Sequence, residues 1–520
     1  MRLPLLFLAI AVVTQPVLAQ TKFGNNAAIT PSRLRAHLEL IASDELEGRD
    51  TPSRGLDVAT LYVATQLKLW GAKPAGDNGT FFQKIPLTSR AIDRTGSTLQ
   101  FGGKTYSYGA SLQAGNVAFQ GSGKMVYCGH GFVVKSKNLD PYAGLDVKGK
   151  IVVIATGMPA GVSFSDLRLP GSERPAQAAK ARGAMGVLIV ADASDNTSWN
   201  PDEPVRRGFM QPDYGDAPDA PGPSIRIRSD VAAELFAGES TSVAEILKGS
   251  DAPEKGFALN ASKTVIVNIL EQKTTIYTRN VVAIVPGSDP KLAGEFVAYG
   301  AHIDHVGVRT GGTGDMIYNG ADDDGSGTVG ILEIAHALLI GPRPKRSSLF
   351  VWHCGEEKGM WGSEWYVEKP TVGLKSIVAQ LNIDMIGRSK PAGDTNPANK
   401  VLTGPNEVYV VGSTMMSTDL QKTSESVNKK FLNIAFNYKY DDPKDTERIF
   451  FRSDHYSYAK KGIPIIFYFD GVHEDYHRVG DEPQKIDYEK LSKVTRTVYA
   501  TGWELANAPK RPVVDKGIPK

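Results

Sequence analysis

At 520 residues with 41% hydrophobic side chains, the chain can bury more than one core, and two or three domains are expected. Lys and Arg total 59 against 57 for Asp and Glu, a net charge of +2, and no basic stripe with interleaved aromatics is present; this argues against a nucleic-acid surface and against an acidic solvating protein. The only cysteines, Cys128 and Cys354, exclude a cysteine-rich metal or iron–sulfur site and are expected as free, buried thiols, since a domain of this size needs no disulfide to fold.

The first residues have the order of an export signal. Arg2 precedes the largely apolar run Leu3–Val13, which is too short to cross a bilayer as a helix of about 20 residues, and Val17-Leu18-Ala19 supplies small residues for cleavage. Cleavage after Ala19 and a secreted or periplasmic destination are expected. Residues 30–71 read as mostly helical. Thr30 can cap a helix with Pro31 in its first turn, and Leu34, Leu38 and Ile41 share a face; a second pattern runs through Leu56, Ala59, Val63 and Leu67. Between them, Glu45–Gly55 is polar and turn-rich. The glycine-rich residues 96–123 suggest hairpins.

A new unit is expected near Phe119. Lys150–Ala155 and Gly186–Ala191 read as buried strands, Ala176–Gly183 as a helix, and 157–175 and 192–223 as loops. This stretch has one histidine, His130, and no cysteine cluster, so it reads as a binding or spacing module without chemistry. From Asn280 onward the pattern is α/β. Val281–Val285, Phe296–Tyr299, Ser348–Trp352, Ile377–Ile383, Val408–Val411 and Ile465–Phe469 are strand candidates, and Thr328–Leu339 reads as a helix. Such alternation predicts a sheet covered on both faces, with ligands at strand ends. Lys390–Tyr440 reads as a loop plus a helix near the cleft, with Asp441–Arg448 shaping its entrance. Tyr438, Tyr440 and Phe450 read equally well as apolar substrate contacts or as ordinary packing.

The chemistry-bearing residues gather at those strand ends. Seven of the nine histidines lie at or after residue 302. His302 and Asp304 follow the Phe296–Tyr299 strand, Asp322, Asp323 and Asp324 crowd a glycine-rich loop, and Glu356-Glu357 follow Ser348–Trp352. Asp384 closes Ile377–Ile383, and Tyr476-His477 come after Ile465–Phe469. A single loop acid is usually just solvated. Imidazoles and carboxylates set at successive strand ends, however, are the donors of a divalent ion such as zinc, and a bridging carboxylate could hold two such ions about 3.5–4 Å apart. A neighbouring carboxylate that binds no metal can act as general base.

The strings RNVVAIVPGSDPKLAGEFVAYGAHIDHVG, NGADDDGSGTVGILEIAHAL, VWHCGEEKGMWGSEWYV, LNIDMIG and EDYHRVGDEPQKIDY run from Arg279 to Tyr488. In order and spacing they resemble zinc aminopeptidases of the M28 peptidase family, in the bacterial subgroup with an inserted protease-associated (PA) domain. LIASDELEGRD, GKIVVIA and KARGAMGVLIVAD extend the resemblance over nearly the whole mature chain. The resemblance implies an α/β fold, a mixed central sheet flanked by helices, with an inserted, mainly β domain. It implies a signal peptide at 1–19, peptidase segments at 20–118 and 261–520, and the insertion at 119–260. It also implies two Zn2+ ions and peptide substrates with a free N-terminus. His302 and Asp384 would be the terminal ligands of one zinc, Glu357 and His477 those of the other, and Asp323 the bridge, with Asp322 and Asp324 competing for that register. Glu356 would be the general base and Tyr476 a donor to the oxyanion. Asp304 would accept the second ring N–H of His302, and His455, within RSDHYSYAKKGIP, would line the substrate pocket. His305, His353 and His473 are expected beside the site in supporting roles, and His336 as packing or solvated.

Other readings are weaker. Ser326 lies in Gly-Ser-Gly, but no G-x-S-x-G elbow surrounds it. A carboxypeptidase of the same fold would need a cation for the substrate carboxylate, and Arg452 or Arg388 could supply one. A non-catalytic binding protein would be expected to have lost a ligand, whereas every position here holds a competent side chain.

Overall fold

A computed structural model describes residues 23–114, 117–201, 210–215, 223–309 and 311–519; the expected leader at 1–19 lies outside them. The chain forms two compact units. One runs to Ile85 and resumes at Tyr277, and the other comprises Pro86–Ile276.

The split unit is built from α1 (Pro31–Ile41), α2 (Arg54–Leu69), β1 (Glu271–Val285, from Tyr277 in this unit), β2 (Phe296–His302), α3 (Gly327–Leu339), β3 (Ser347–His353), α4 (Trp361–Glu368), β4 (Ile377–Ile383), β5 (Glu407–Val411), β6 (Ala435–Asn437), α5 (His455–Lys460), β7 (Ile465–Phe469) and α6 (Tyr488–Asn507). The strands lie in the order β1-β3-β2-β4-β7-β5-β6. β3, β2, β4 and β7 are mutually parallel, β1 and β5 run antiparallel to their neighbours β3 and β7, and β6 pairs parallel with β5. Every residue of β3, β4 and β7 is buried, as parallel strands covered on both faces must be. Successive side chains of β2 show the two faces. Ala298 joins a cluster with Leu349, Tyr366 of α4 and Tyr458 of α5. Tyr299 stacks on Phe350 and points toward α6, where a Cβ on Gly502 would fall 1.9 Å from its hydroxyl. Glycine is therefore required at 502 by close packing.

The N-terminal helices form as their caps dictate. The Thr30 hydroxyl accepts the Arg33 N–H, Pro31 occupies the first turn of α1, and Ser53 caps α2 through the Leu56 N–H. α1 is fastened to α3 by the fully buried Glu333. Its carboxylate receives Arg33 Nε (2.7 Å) and Nη2 (2.9 Å) and lies 3.0 Å from His37 Nε2. Burial would raise this carboxyl, but the bonds to His37 and Arg33 outweigh it and hold it below its usual range. Because the folded pKa lies below the unfolded value of about 4.3, the contribution to stability is complete above that pH and is lost as pH falls through the folded value. Arg33→Ala should therefore destabilise by about 1–3 kcal/mol at pH 6, tempered by the partly exposed arginine and the remaining His37. The difference from the parent should shrink by pH 3, as denaturant titrations at the two pH values would register.

The inserted unit is largely β. Phe119–Tyr127, Ile151–Ala155, Gly186–Val190 and Ser224–Ile227 pair in parallel, and Thr98–Phe101, Lys104–Ser107 and Thr264–Ile269 extend the sheet antiparallel. Leu99, Val153, Leu188, Ile227 and Val267 fill its core. Cys128 and Cys354 are buried free thiols. The chain leaves and re-enters the split unit at neighbouring points: Lys73 and Pro74 pair with Ile284 and Ala283, and Asn280 Nδ2 donates to the Gln83 side chain at 2.9 Å. The fold is thus a mixed α/β sheet flanked by helices, carrying a mainly β insertion. Among the described residues, no helix is long and apolar enough to cross a membrane.

Candidate metal centre

The parallel set β2, β3, β4 and β7 brings four carboxyl ends to one edge of the sheet, and the loops leaving that edge carry the chemistry. His302 ends β2, Glu356 and Glu357 follow β3, Asp384 follows β4, and Tyr476 and His477 follow β7. Asp323 enters from the loop Ala321–Ser326 that opens α3.

These side chains converge into two donor groups that share Asp323: His302, Asp323 and Asp384; and His305, Asp323, Glu357 and His477. The two carboxylate oxygens of Asp323 face different groups. Oδ1 lies 3.2 Å from His302 Nε2, while Oδ2 lies 3.1 Å from His477 Nε2 and 3.7 Å from His305 Nδ1. His302 Nε2 is 3.6 Å from Asp384 Oδ1, and Glu357 stands 2.9 Å from both His477 Nε2 and His305 Nδ1. Only His477 is substantially open, with 37% of its side chain exposed against 11% or less for its partners, so solvent reaches the site from that side.

The neighbouring aspartates are turned elsewhere. Asp322 Oδ1 accepts the Gly387 N–H and its Oδ2 lies 3.3 Å from His473 Nε2. Asp324 accepts the backbone N–H groups of His302, Gly327 and Met385, tying the ends of two strands to the start of α3. Asp481 accepts the N–H groups of Asp322 and Asp323 and so fixes the loop between them. Non-glycine residues hold left-handed backbone here too, at Met385 (φ 57) and His477 (φ 52), conformations that the surrounding packing must maintain.

The donor set fits divalent cations. His302 Nε2, both ring nitrogens of His305, Asp323 Oδ2 and Glu357 Oε1 are buried without a well-aligned hydrogen bond, although His305 and Glu357 stand close together. Buried polar atoms left this way ask for another partner. The His302 Nδ1–H bonds to the Asp304 carbonyl at 3.1 Å, which turns the Nε2 lone pair toward Asp323 and Asp384. Electrostatics point the same way. Burial pulls the His477 ring down, but Asp323 and Glu357 outweigh it and push it up to about 10. Burial likewise lowers His302, while Asp384, Asp304 and Asp323 carry it well above the usual imidazole range. Both shifts come from carboxylates crowded around the two rings, an excess of negative charge that a divalent cation would offset.

Of the other residues named from the sequence, His305 and His455 are placed differently. Asp304 supports His302 through its carbonyl; its carboxylate is 3.7 Å from the ring and accepts the Glu356 N–H instead. His305, expected in a supporting role, stands inside the second donor group. His455 does not line the cleft. It is buried behind it, stacked on Phe467, with Nε2 2.8 Å from the Phe450 carbonyl oxygen. His353 pairs with Asp454 (3.3 Å) and Tyr458 (3.0 Å) behind the site, and His336 packs on Trp70. Arg388 is held by Asp475 at 2.9 Å. The cleft itself is bounded by Asp323, Glu356 and Asp384 on one side, by Met385, Ile449, Phe467, Phe469 and Val472 on another, and by Arg452 and Tyr476.

Comparison with known proteins places these features. Residues 280–502 match peptidase family M28, and residues 113–232 match the PA domain. A probable leucine aminopeptidase of Arthroderma benhamiae is 30% identical over 235 residues, 44% of this chain and 57% of that relative. A probable zinc metalloprotease of Pyrenophora tritici-repentis is 28% identical over 218 residues, covering 37% of this chain and 49% of its own. The chain thus spans little more than half the length of the curated relatives it matches. Among solved structures, the aminopeptidase from Aneurinibacillus sp. strain AM-1 aligns with 95% of this chain and 97% of its own, at 18% identity and a TM-score of 0.46. With the donor groups lying inside the matched region, the chain carries a metallopeptidase domain of family M28, into which a PA domain is inserted.

Proposed function

We propose that this protein is an exported di-zinc aminopeptidase that removes N-terminal residues from peptides. The observation that carries the reading is the orientation of Asp323, whose two oxygens each face a separate set of imidazole and carboxylate donors. His302 and Asp384 would complete one site, and Glu357 and His477 the other, with His305 at hand beside Glu357. Zinc in both would supply the Lewis acidity, lowering the pKa of bound water to about 7 and polarising the scissile carbonyl.

The protein's own residues then handle the protons. Glu356 borders the cleft beside Asp323 and Asp384. Burial raises its carboxyl; the His302 ring draws it down, and Asp384, Asp454 and Glu357 carry it up again. In its ionised form this carboxylate is placed to accept a proton from the attacking water and pass it to the leaving amine. The Tyr476 phenol is raised above its ordinary range, chiefly by burial and then by Asp323 and Glu357, so it stays protonated and can donate to the developing oxyanion. It stacks on His477 at 4.0 Å, which sets its place at the rim. The wall of Met385, Ile449, Phe467, Phe469 and Val472 suits an apolar N-terminal side chain, and His455 stiffens that wall from behind through Phe467.

One observation favours a second reading. Arg452 borders the cleft, is exposed, and has no ion-pair partner among the described residues, so it could hold a substrate carboxylate in a carboxypeptidase-type reaction. A panel of end-blocked peptides separates the two. Aminopeptidase action predicts turnover abolished by N-acetylation and retained on C-amidation. The reverse pattern would favour the carboxypeptidase. A folded protein that never takes up zinc would defeat both.

A further inference from the structure

The stretch between α1 and α2 is polar and turn-rich, yet it contains one of the most deeply buried cations among the described residues. Arg49 has 0% exposure. Its guanidinium gives hydrogen bonds to backbone carbonyls: Nε to Ile303 (2.9 Å), Nη1 to Ile41 (2.5 Å) and Asn319 (2.6 Å), and Nη2 to Gly320 (3.0 Å). Its own carbonyl accepts the His305 N–H at 3.3 Å. No carboxylate lies within ion-pairing distance of it among the described residues. Burial pulls Arg49 down to about 10, with Asp304, Asp481, Asp323 and Asp324 opposing, so it remains charged at neutral pH.

The residues on either side reach the other loops of the site. Thr51 Oγ1 accepts the Gly355 N–H at 3.0 Å, immediately before Glu356 and Glu357. Asp50 pairs with Lys358 at 2.9 Å, and Asp44 accepts from Asn319 at 2.8 Å. Gly48 (φ +64) lies so close to the backbone of Gly307 and Tyr318 that a Cβ would fall 2.5 Å from the Tyr318 oxygen. One short segment thus touches the loop of His302 and His305, the loop leading to Asp323, and the loop of Glu356 and Glu357.

From this we infer that Asp44–Thr51 is a strap that positions the metal-binding loops relative to one another, with Arg49 as its principal positioning residue; the inference rests on the metal-centre reading above. A planar fork of donors suits the task. It fixes three carbonyls belonging to two loops at set angles, whereas a lysine ammonium, a point charge on a flexible stem, cannot hold them all. Because the bonds go to backbone and none to a ligand side chain, the strap acts by holding ligand spacing. Loops free to drift by even about 0.5 Å would present the same donors less well.

The test uses the full chain with zinc as the probe, comparing the parent, Arg49→Lys, Thr51→Val and a control, Leu505→Ala, which perturbs the core of α6 away from the site. Zinc affinity is read by competition with a chromophoric chelator, together with stoichiometry, melting temperature, kcat and KM. Arg49→Lys should bind zinc about 10–100-fold more weakly, the range typical of losing a partner that orients ligands. Leu505→Ala should melt lower but bind zinc as the parent does. Thr51→Val, which removes one bond to the Glu356 loop and provides the readout if Arg49→Lys fails to fold, should lower kcat more than it alters KM. If the parent takes two ions and both strap variants match it in affinity and kcat, the strap inference is overturned while the metal centre stands. A parent that takes up no zinc would overturn both. Equal loss of affinity in Leu505→Ala and Arg49→Lys would reduce the strap to general stability and also overturn it.

Discussion

Glu356→Gln should lower turnover by about 10²–10⁴-fold, the usual contribution of a positioned base, while zinc content and melting temperature stay at the parent values. The expectation follows from geometry. Glu356 stands at the cleft wall beside Asp323 and Asp384 but belongs to neither donor group, so neutralising it leaves both sets of ligands complete. Its backbone N–H, held by Asp304, is untouched by a side-chain amide. Glutamine keeps the shape and loses the ability to take a proton. Steady-state kinetics with metal analysis on the same preparation checks both halves. A variant retaining more than about a tenth of parental turnover would move the base elsewhere.

Asp323→Ala should strip both ions together. Losing the carboxylate takes Oδ1 from His302 and Oδ2 from His477 and His305 in one step. The loss of zinc retention should exceed the roughly 10–100-fold typical of removing a mere supporting partner, with activity falling to background. His302→Ala, by contrast, touches only one donor group and should leave a zinc equivalent bound. Asp322→Asn is the informative neighbour. Its oxygens serve Gly387 N–H and His473, so its metal content should stay near the parent's. Elemental analysis after dialysis against a mild chelator distinguishes these cases. Zinc retained by Asp323→Ala but lost by Asp322→Asn would shift the bridge by one residue.

Much of this architecture is legible in the amino-acid order because burial leaves a plain mark. Ile377–Ile383 and Ile465–Phe469 read as strands from their apolar runs alone, and they are strands over those same residues, buried throughout. The gathering of acids and imidazoles after such runs is legible for the same reason, since strand ends at one edge of a parallel sheet become neighbours. What sequence cannot convey is direction. Three consecutive aspartates offer three directions, and only the backbone turn at the head of α3 decides that Asp323 points one way while Asp322 and Asp324 turn to backbone amides. His305 was obscured likewise, since a histidine three positions from another gives no hint that its ring meets Glu357. Arg49 was hardest to see. An arginine among turn formers ordinarily means solvent, and its carbonyl partners lie 254 to 271 positions away for three of its four bonds.

The adjacency of the points where the insertion leaves and rejoins the sheet bears on the order of folding. Asn280 and Gln83 are hydrogen-bonded although residues 86–276 intervene. Were that stretch a random coil, bringing its ends together would carry a loop-closure entropy that grows by about 0.6 kcal/mol with each doubling of length. Once the inserted unit has its own core, its termini are no longer a long coil, and the remaining search is for a much shorter connection. N-terminal segments emerge first during synthesis, so Arg49 must wait for Ile303 and Asn319 until after the insertion has been made. Biogenesis would then proceed from the inside of the chain outward, with ion uptake among its last events.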